Sequence, residues 1–431
     1  MALLDKARRR RFFSYTIRRQ FLTIVVSMSS MSLILMIYQY KVRQESQLLT
    51  DATHQLIYEQ NGRSGNLVKE NGRSVKLPEN NQFMVMQEIE QLAAMNKVEE
   101  EKHSLETNRT KIISKDRNGP LEGVVAQLDS EDPMEGIVRQ HFQIGNRIKF
   151  DYQHPYIING STICKDVQTP VLLIMCLSNP GEHTTRHIIR TTWSSITRTG
   201  RWPMSAQTYT SEVKIVFLIG KPWTRDVGKR IARESATYKD VIVSDFNDKY
   251  TNLTRKVLVG LQWARQYCPG FKFVMKTDSD TFVHVKNAID YVKTVEPGNS
   301  GVVIGSTISK AAPFRRGKWA LSEENYPFTR FPFYTSGQTY IISNNLALKI
   351  VDTAKYFSYI RIEDVFITGI MRVVLGGRLI DLGNAFPRHA RIYPSTCEFF
   401  GVKKISETNI NDEMKYIIWD LLQKPRQWCK N

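Results

Sequence analysis

The chain has 431 residues, 42% of them hydrophobic and 24% charged, which provides for a folded core and excludes a wholly disordered polypeptide. The formal net charge of +18 raises a nucleic-acid reading, but no nucleic-acid-binding module is recognisable and part of the charge is gathered at the N-terminus. A basic face that meets acidic glycans or membrane headgroups is the alternative use of that charge.

Residues 1–19 hold Lys6, Arg8, Arg9, Arg10, Arg11, Arg18 and Arg19 against one acid, Asp5. The uncharged stretch QFLTIVVSMSSMSLILMIYQY (20–40) follows, matching the ~20 residues with which a helix crosses a bilayer. By the positive-inside rule, the tail 1–19 stays cytosolic and the remainder is luminal, a single-pass type II topology. A cleaved signal peptide and a buried helix are the competing readings, and no clear A-x-A-like cleavage site follows the run.

Residues 41–165 are rich in Gln, Asn, Glu and Lys and poor in aromatics, which reads as a luminal stem holding a domain away from the membrane. The echo of QNGRS (60–64) in ENGRS (70–74) is too short to indicate a repeat architecture. FMVMQEIEQLAAMNKVEEEKHSLE (83–106) has helical spacing compatible with a short coiled coil, a route to homo- or hetero-oligomers through the stem. All five cysteines (Cys164, Cys176, Cys268, Cys397 and Cys429) follow the apolar span, and none forms a CxxC pair. Their spacing argues against zinc and is compatible with two disulfides and one free thiol, of open connectivity. The sequons at Asn108, Asn159 and Asn252 are compatible with the same oxidising compartment.

The texture changes at Thr169, and residues 166–431 read as the catalytic domain. TPVLLIMCLS (169–178), EVKIVFLIG (212–220), DVIVSDF (240–246), FKFVMKTD (271–278) and GVVIGS (301–306) are apolar runs of strand length. Helical patterns lie between them, notably TTRHIIRTTWSSI (184–196) and LTRKVLVGLQWARQYC (253–268). This alternation predicts an α/β domain with a central, mainly parallel sheet buried on both faces. Ligands of such sheets gather at the carboxyl ends of the strands, which is where Asp278 and Asp280 fall.

Asp278 and Asp280 form a D-x-D, a pair of hard oxygen donors suited to magnesium or manganese bridging to a nucleotide pyrophosphate; a solvated turn is the plain alternative. Glu363 and Asp364 precede another apolar run and read either as a helix cap or as a general base for an attacking hydroxyl. Arg186 and Arg190 lie four apart, on one helix face, suited to phosphate or simply to a solvated surface. FPFYTSGQTYIIS (331–343) combines aromatics, a turn glycine and a strand, and reads as sugar-site lining or as core.

Taken together, RHIIRTTW, IVFLIG, the block SDFNDKYTNLTRKVLVGLQWARQYCPGFKFVMKTDSDTFVHV, KWALSEENYP, FPFYTSGQTYIIS and EDVFITG resemble the β-1,3-galactosyltransferase family, glycosyltransferase family 31. The likeness runs in order over roughly residues 169–370. It implies a GT-A type α/β fold, a type II Golgi anchor, a UDP-sugar donor, Mn2+ (or Mg2+) and inverting transfer of a hexose. The acceptor would be a sugar hydroxyl of a glycoprotein or glycolipid glycan, with β-1,3 linkage. Carried over, Asp278 and Asp280 would hold the metal–diphosphate, and Asp364 would be the base with Glu363 beside it. Arg186, Arg190 and Lys276 would lie near the nucleotide, and Trp319, Tyr334, Ser336 and Gly337 would shape the sugar sites.

The chain departs from the family pattern in three places. Thr335 stands where a cysteine is usual, and a second cysteine after the EDV motif is absent from ITGIMRV. The histidine common before the C-terminal E-M…W segment is also missing from KKISETNINDEMKYIIW (403–419), leaving His389 as the nearest substitute by sequence. A catalytically inactive relative that binds glycans or a partner transferase is the second function these departures allow.

Overall fold

The computed structural model describes residues 132–165, 169–387, 398–399 and 404–424, together with two short strands near residue 70. The 1–19 tail, the 20–40 span, the 83–106 segment, Asn108, His389, Cys397 and Cys429 lie outside the described residues. Among the described residues, no helix is long and apolar enough to cross a membrane. Within residues 1–106, β1 (Val68–Glu70) pairs antiparallel with β2 (Arg73–Val75).

Within residues 107–431, the elements in chain order are α1 (Glu135–His141), β3 (Tyr156–Ile158), β4 (Leu172–Leu177), α2 (His183–Thr191), β5 (Val213–Ile219) and α3 (Arg225–Tyr238). They continue with β6 (Val241–Ser244), α4 (Leu253–Tyr267), β7 (Phe273–Asp278), β8 (Phe282–Val283), α5 (Val285–Val292), β9 (Val302–Ile308) and β10 (Tyr334–Ser343). Last come α6 (Asn344–Thr353), a π-helical turn (Val365–Met371), β11 (Arg378–Asp381), β12 (Ser406–Glu407) and α7 (Asp412–Gln423).

Eight strands form one sheet in the order β11-β9-β10-β7-β4-β5-β6-β3. Its centre, β7-β4-β5-β6, is parallel throughout, as expected of apolar runs separated by helices. Antiparallel pairings flank that centre: β10 lies between β7 and β9, and β3 adds to β6 at the edge. All six residues of β4 are buried, and their side chains alternate between two cores. Leu173, Met175 and Leu177 face the side covered by α4 and α6, whereas Leu172, Ile174 and Cys176 face the side covered by α2 and α5. Burial of each such aliphatic side chain contributes roughly 1.5–3 kcal/mol. The contact between α4 and the sheet requires glycine at 260, because a Cβ there would lie 2.7 Å from Leu218 Cδ2 and 2.9 Å from Met175 Sδ.

The folded domain extends upstream of residue 166, into the region whose composition reads as stem. Val138, Phe150, Tyr152 and Ile163 are buried in the core on the α4 side. Asp132 accepts the backbone N–H of Phe333 at 2.7 Å, and Arg372 donates to Glu135 at 2.7 Å. A Cys164–Cys268 disulfide ties the segment to the end of α4. The core-forming residues of this stretch are too irregularly spaced to show a helical or strand period, so polar composition dominates its reading. Cys176 is a free, buried thiol in the middle of the sheet.

Candidate active site

The site is assembled at the carboxyl ends of β4 and β7, where Leu177 pairs with Asp278. Glu182, just ahead of α2, fastens these ends together. Its Oε2 accepts from Ser178 Oγ at 3.0 Å, from the Asn179 N–H at 2.9 Å and from Ser279 Oγ at 2.8 Å. Beside it, Lys256 Nζ donates to Ser178 O at 2.8 Å and to both oxygens of Asp248 at 2.8–2.9 Å. Asp248 in turn accepts the N–H of Gly220, at the end of β5. The loops that frame the D-x-D are therefore cross-linked by buried polar contacts.

Asp278 and Asp280 sit on either side of Ser279, with Asp278 half-buried and Asp280 exposed. Burial pushes the Asp278 carboxyl up, against the pull of Lys276. Its Oδ1 lies 2.7 Å from Lys276 Nζ. The C-terminal segment runs past Asp280: Ile410 N–H donates to Asp280 O at 2.7 Å, and Thr408 Oγ1 stands 3.4 Å from Asp280 Oδ1. Pairing of β12 with β8 holds that segment in place. Asp280, with Thr408 against it and Asp278 two residues before, offers hard oxygen donors that would suit a divalent cation shared with phosphate and water. Among the described residues, no three His, Cys, Asp or Glu side chains converge as a metal site.

Glu363 and Asp364 open the π-helical turn, where Asp364 accepts the Val365 N–H at 2.8 Å and so also caps it. Asp364 lies against Gly337, where an added Cβ would come within 2.8 Å of Asp364 Oδ2. Burial raises the Asp364 carboxyl above the usual aspartate range, with the Val365 N–H pulling the other way. Glu363 is buried, accepts from the Tyr340 hydroxyl and leaves Oε2 without a hydrogen-bond partner. Burial pushes its carboxyl up to about 8, opposed by Lys276.

Lys276 connects the two acidic pairs. It is 1% exposed, binds Asp278, donates to the Gly337 carbonyl and lies 4.0 Å from Glu363 Oε2. Burial works against its ammonium, but Asp278 and Glu363 more than offset this, and its pKa stands above that of ordinary lysine.

Gly337 lies against this centre, with Tyr334 and Ser336 just before it on β10, and Trp319 stands in the 317–320 loop. Trp319 Nε1 donates to the Tyr250 hydroxyl at 2.7 Å, and Lys318 Nζ lies 4.4 Å from the centre of the Tyr250 ring. Arg361, two residues before Glu363, holds the 317–320 loop by donating to the carbonyls of Gly317, Lys318 and Ala320. Burial raises the Tyr250 hydroxyl, the Trp319 bond opposes this, and the Asp364 and Asp278 carboxylates add to it. Tyr334 and Ser336 are buried in the first half of β10, and the Ser336 hydroxyl donates to Gln338. At the position of the absent cysteine pair, the Thr335 N–H donates to Thr368 Oγ1 at 3.0 Å, so the two segments remain joined by a hydrogen bond.

Arg186 and Arg190 are placed differently from the nucleotide-facing position that the resemblance implies. Arg186 is wholly buried: it grips Glu234 with two bonds of 2.8 Å and donates to Ser178 Oγ and Asn179 O. A weaker contact to Pro180 O at 3.5 Å engages its remaining donor. Arg190 binds Asp240 through two 2.7 Å bonds and Glu234 at 2.8 Å, with its guanidinium packed on Phe217 and Tyr238. Both arginines face into the protein; Arg186 braces the Ser178–Pro180 loop from behind, and Arg190 shares Glu234 with it. Glu182, Thr408 and Tyr250 are further candidate residues that sequence reasoning did not single out; only Tyr250 lay in a motif block, SDFNDKYTNLT.

Residues 184–380 match the Galactosyltransferase family profile. The chain is 30% identical over 279 residues to human beta-1,3-galactosyltransferase 2, covering 63% of each chain. It is 33% identical over 220 residues to rat lactosylceramide 1,3-N-acetyl-beta-D-glucosaminyltransferase, covering 49% of this chain and 56% of that protein. It thus spans little more than half the length of the latter. Among solved structures, the galactosyltransferase LgtC in complex with donor and acceptor sugar analogs aligns at a TM-score of 0.30 and 8% identity, over 59% of this chain and 98% of that one. At that score the likeness has no weight for the fold.

Proposed function

From the premise that residues 184–380 belong to the galactosyltransferase family, we propose that this protein transfers a hexose from a UDP-sugar to an acceptor sugar hydroxyl. Galactose and an N-acetylhexosamine are the candidate sugars, in keeping with what the two relatives are named for. The observation that carries the reading is the link from Asp278 to Asp364 through Lys276 and Gly337 at one end of the sheet, with Asp280 two residues beyond Asp278 in the same turn.

In this reading the domain is of GT-A type, and Asp280, with Asp278 beside it, holds a manganese or magnesium ion. When bound, such an ion neutralises the diphosphate and stabilises UDP as it leaves. Asp364 takes the proton of the attacking hydroxyl, and its raised pKa brings a carboxylate closer to that task. A single in-line attack assisted by one base inverts the anomeric centre; β-1,3 linkage is the outcome in keeping with both relatives. Tyr250 and Trp319 form an aromatic edge for the acceptor sugar. Golgi residence, a type II anchor at 20–40, an acceptor on glycoprotein or glycolipid and oligomerisation through the stem complete the proposal. The Cys164–Cys268 disulfide supports an oxidising compartment.

The test is UDP release by the purified protein over a panel of UDP-sugars and glycan acceptors with Mn2+. Transfer that is lost in Asp280→Ala and in Asp364→Ala supports the assignment, and transfer unchanged in both sinks it. In the wild type, kcat should fall on acidification through a limb above the ordinary aspartate pKa of ~3.9. A second reading, an inactive glycan-binding relative, is favoured by one observation: Thr408, not a histidine, faces Asp280. Calorimetry separates the two, since absence of Mn2+-dependent UDP binding would select the inactive form.

A further inference from the structure

We propose that Lys276 is a positioning residue that locks the D-x-D turn and the Asp364 shelf into one unit, so that the donor-side and acceptor-side halves of the site move together. The inference rests on the transferase reading above and assigns Lys276 a different task from contact with the nucleotide. With 1% of its surface exposed, Lys276 is closed off from any ligand.

Its ammonium reaches into both halves. On the donor side it holds Asp278 Oδ1 at 2.7 Å, which fixes the carboxylate's rotation and determines which oxygen is offered to a cation. On the acceptor side it donates to the carbonyl of Gly337. Gly337 lies where the pairing of β10 with β9 shifts register between Thr335 and Tyr340, so its carbonyl is outside the regular ladder and open to a side-chain donor. The same residue's backbone presses on Asp364, closely enough that a methyl group at 337 would collide with Oδ2. Lys276 also pairs across the sheet with Tyr340, whose hydroxyl binds Glu363, and Glu363 Oε2 is 4.0 Å from the ammonium. Two strands and the π-helical turn thus meet at one buried cation. A buried ammonium held by a carboxylate on one side and a backbone carbonyl on the other is costly to disturb, which makes the arrangement stiff.

The experiment compares the full-length protein with Lys276→Met and Lys276→Gln, reading the Kd for UDP with Mn2+, and kcat and its pH profile at saturating donor. A unit joined by Lys276 loses both halves in Lys276→Met: UDP affinity falls about fivefold or more, and kcat falls about tenfold or more. The acid limb of the kcat profile also moves to higher pH, as Asp364 loses a nearby cation. Lys276→Gln, which retains an N–H donor for Gly337, recovers part of the kcat loss. A weaker UDP affinity with kcat and its acid limb unchanged would overturn the proposal, as would a lower melting temperature with no change in either. If the variants do not fold, amide exchange of the wild type decides. Binding of UDP and Mn2+ should slow exchange over residues 335–340, and unchanged exchange there despite bound UDP overturns the linkage. Failure of the wild type to bind UDP removes the transferase reading itself, a result distinct from either of these.

Discussion

Thr408 and Asp280, 128 residues apart in sequence, meet at 3.4 Å between Oγ1 and Oδ1. The contact follows from the pairing of β12 with β8, which brings the C-terminal segment beside the D-x-D turn. A hydroxyl is a weak, neutral donor for a divalent cation, whereas an imidazole at the same position would be a stronger one. Thr408→His should therefore tighten Mn2+-dependent UDP binding by about tenfold, equivalent to ~1.4 kcal/mol. Thr408→Val should leave it within a few fold of wild type. Calorimetry with UDP at fixed Mn2+ makes the comparison, and equal affinities in all three proteins would show that Thr408 does not face the cation.

Arg186 is predicted to act on stability and not on nucleotide binding. Its contacts with Glu234, Ser178 and Asn179 are all internal, and Glu234 is itself largely buried. Removing one partner of such a pair costs about 3–5 kcal/mol, because the other charge is left incompletely compensated. Arg186→Met should lower the melting temperature by many degrees while the folded fraction, assayed in the cold, keeps its UDP affinity. The opposite pattern, full stability with lost UDP affinity, would return Arg186 to the nucleotide site.

Tyr250 and Trp319 should set the acceptor KM. Tyr250→Phe removes the oxygen that accepts the Trp319 N–H and frees the indole to turn. Loss of a bond worth ~1 kcal/mol corresponds to a rise in acceptor KM of roughly fivefold, with the donor KM unchanged. Trp319→Ala should raise it further. Steady-state kinetics with the acceptor varied at saturating donor makes the check; a change confined to donor KM would move this edge to the nucleotide side.

The sheet was legible because its central strands are short apolar runs, buried on both faces and separated by amphipathic helices. The antiparallel insertion of β10 was not legible, since an apolar strand carries no mark of its direction. Within the site, Asp278, Asp280, Glu363 and Asp364 could be picked out as paired carboxylates at the ends of apolar runs. The inward turn of Arg186 and Arg190 could not: it depends on Glu234 for the first and on Asp240 for the second, some 50 residues away and on other elements. For the same reason, Thr408 and Glu182 gave no signal, as each matters only through a neighbour that folding supplies.

Glu363 makes the stability of the domain depend on pH in a definite direction. Burial pushes its folded-state carboxyl up to about 8, and in the unfolded chain it titrates near the ordinary value of ~4.3. Below that unfolded value both states carry the proton, and the contribution of the protonated, buried group is fully present. Between the two values the folded state retains a proton that the unfolded state has released, so stability declines as pH rises. The decline ends once pH passes the folded value. Asp278 and Asp364, both also raised by burial, act in the same direction. Glu363→Gln keeps the shape and cannot ionise, so its melting temperature should vary less with pH across this window than that of the wild type. Thermal melts of both proteins at intervals from about pH 5 to 8 test this. Parallel curves would mean that Glu363 does not hold its proton in the folded state, and that the charge beside Lys276 is a carboxylate at neutral pH.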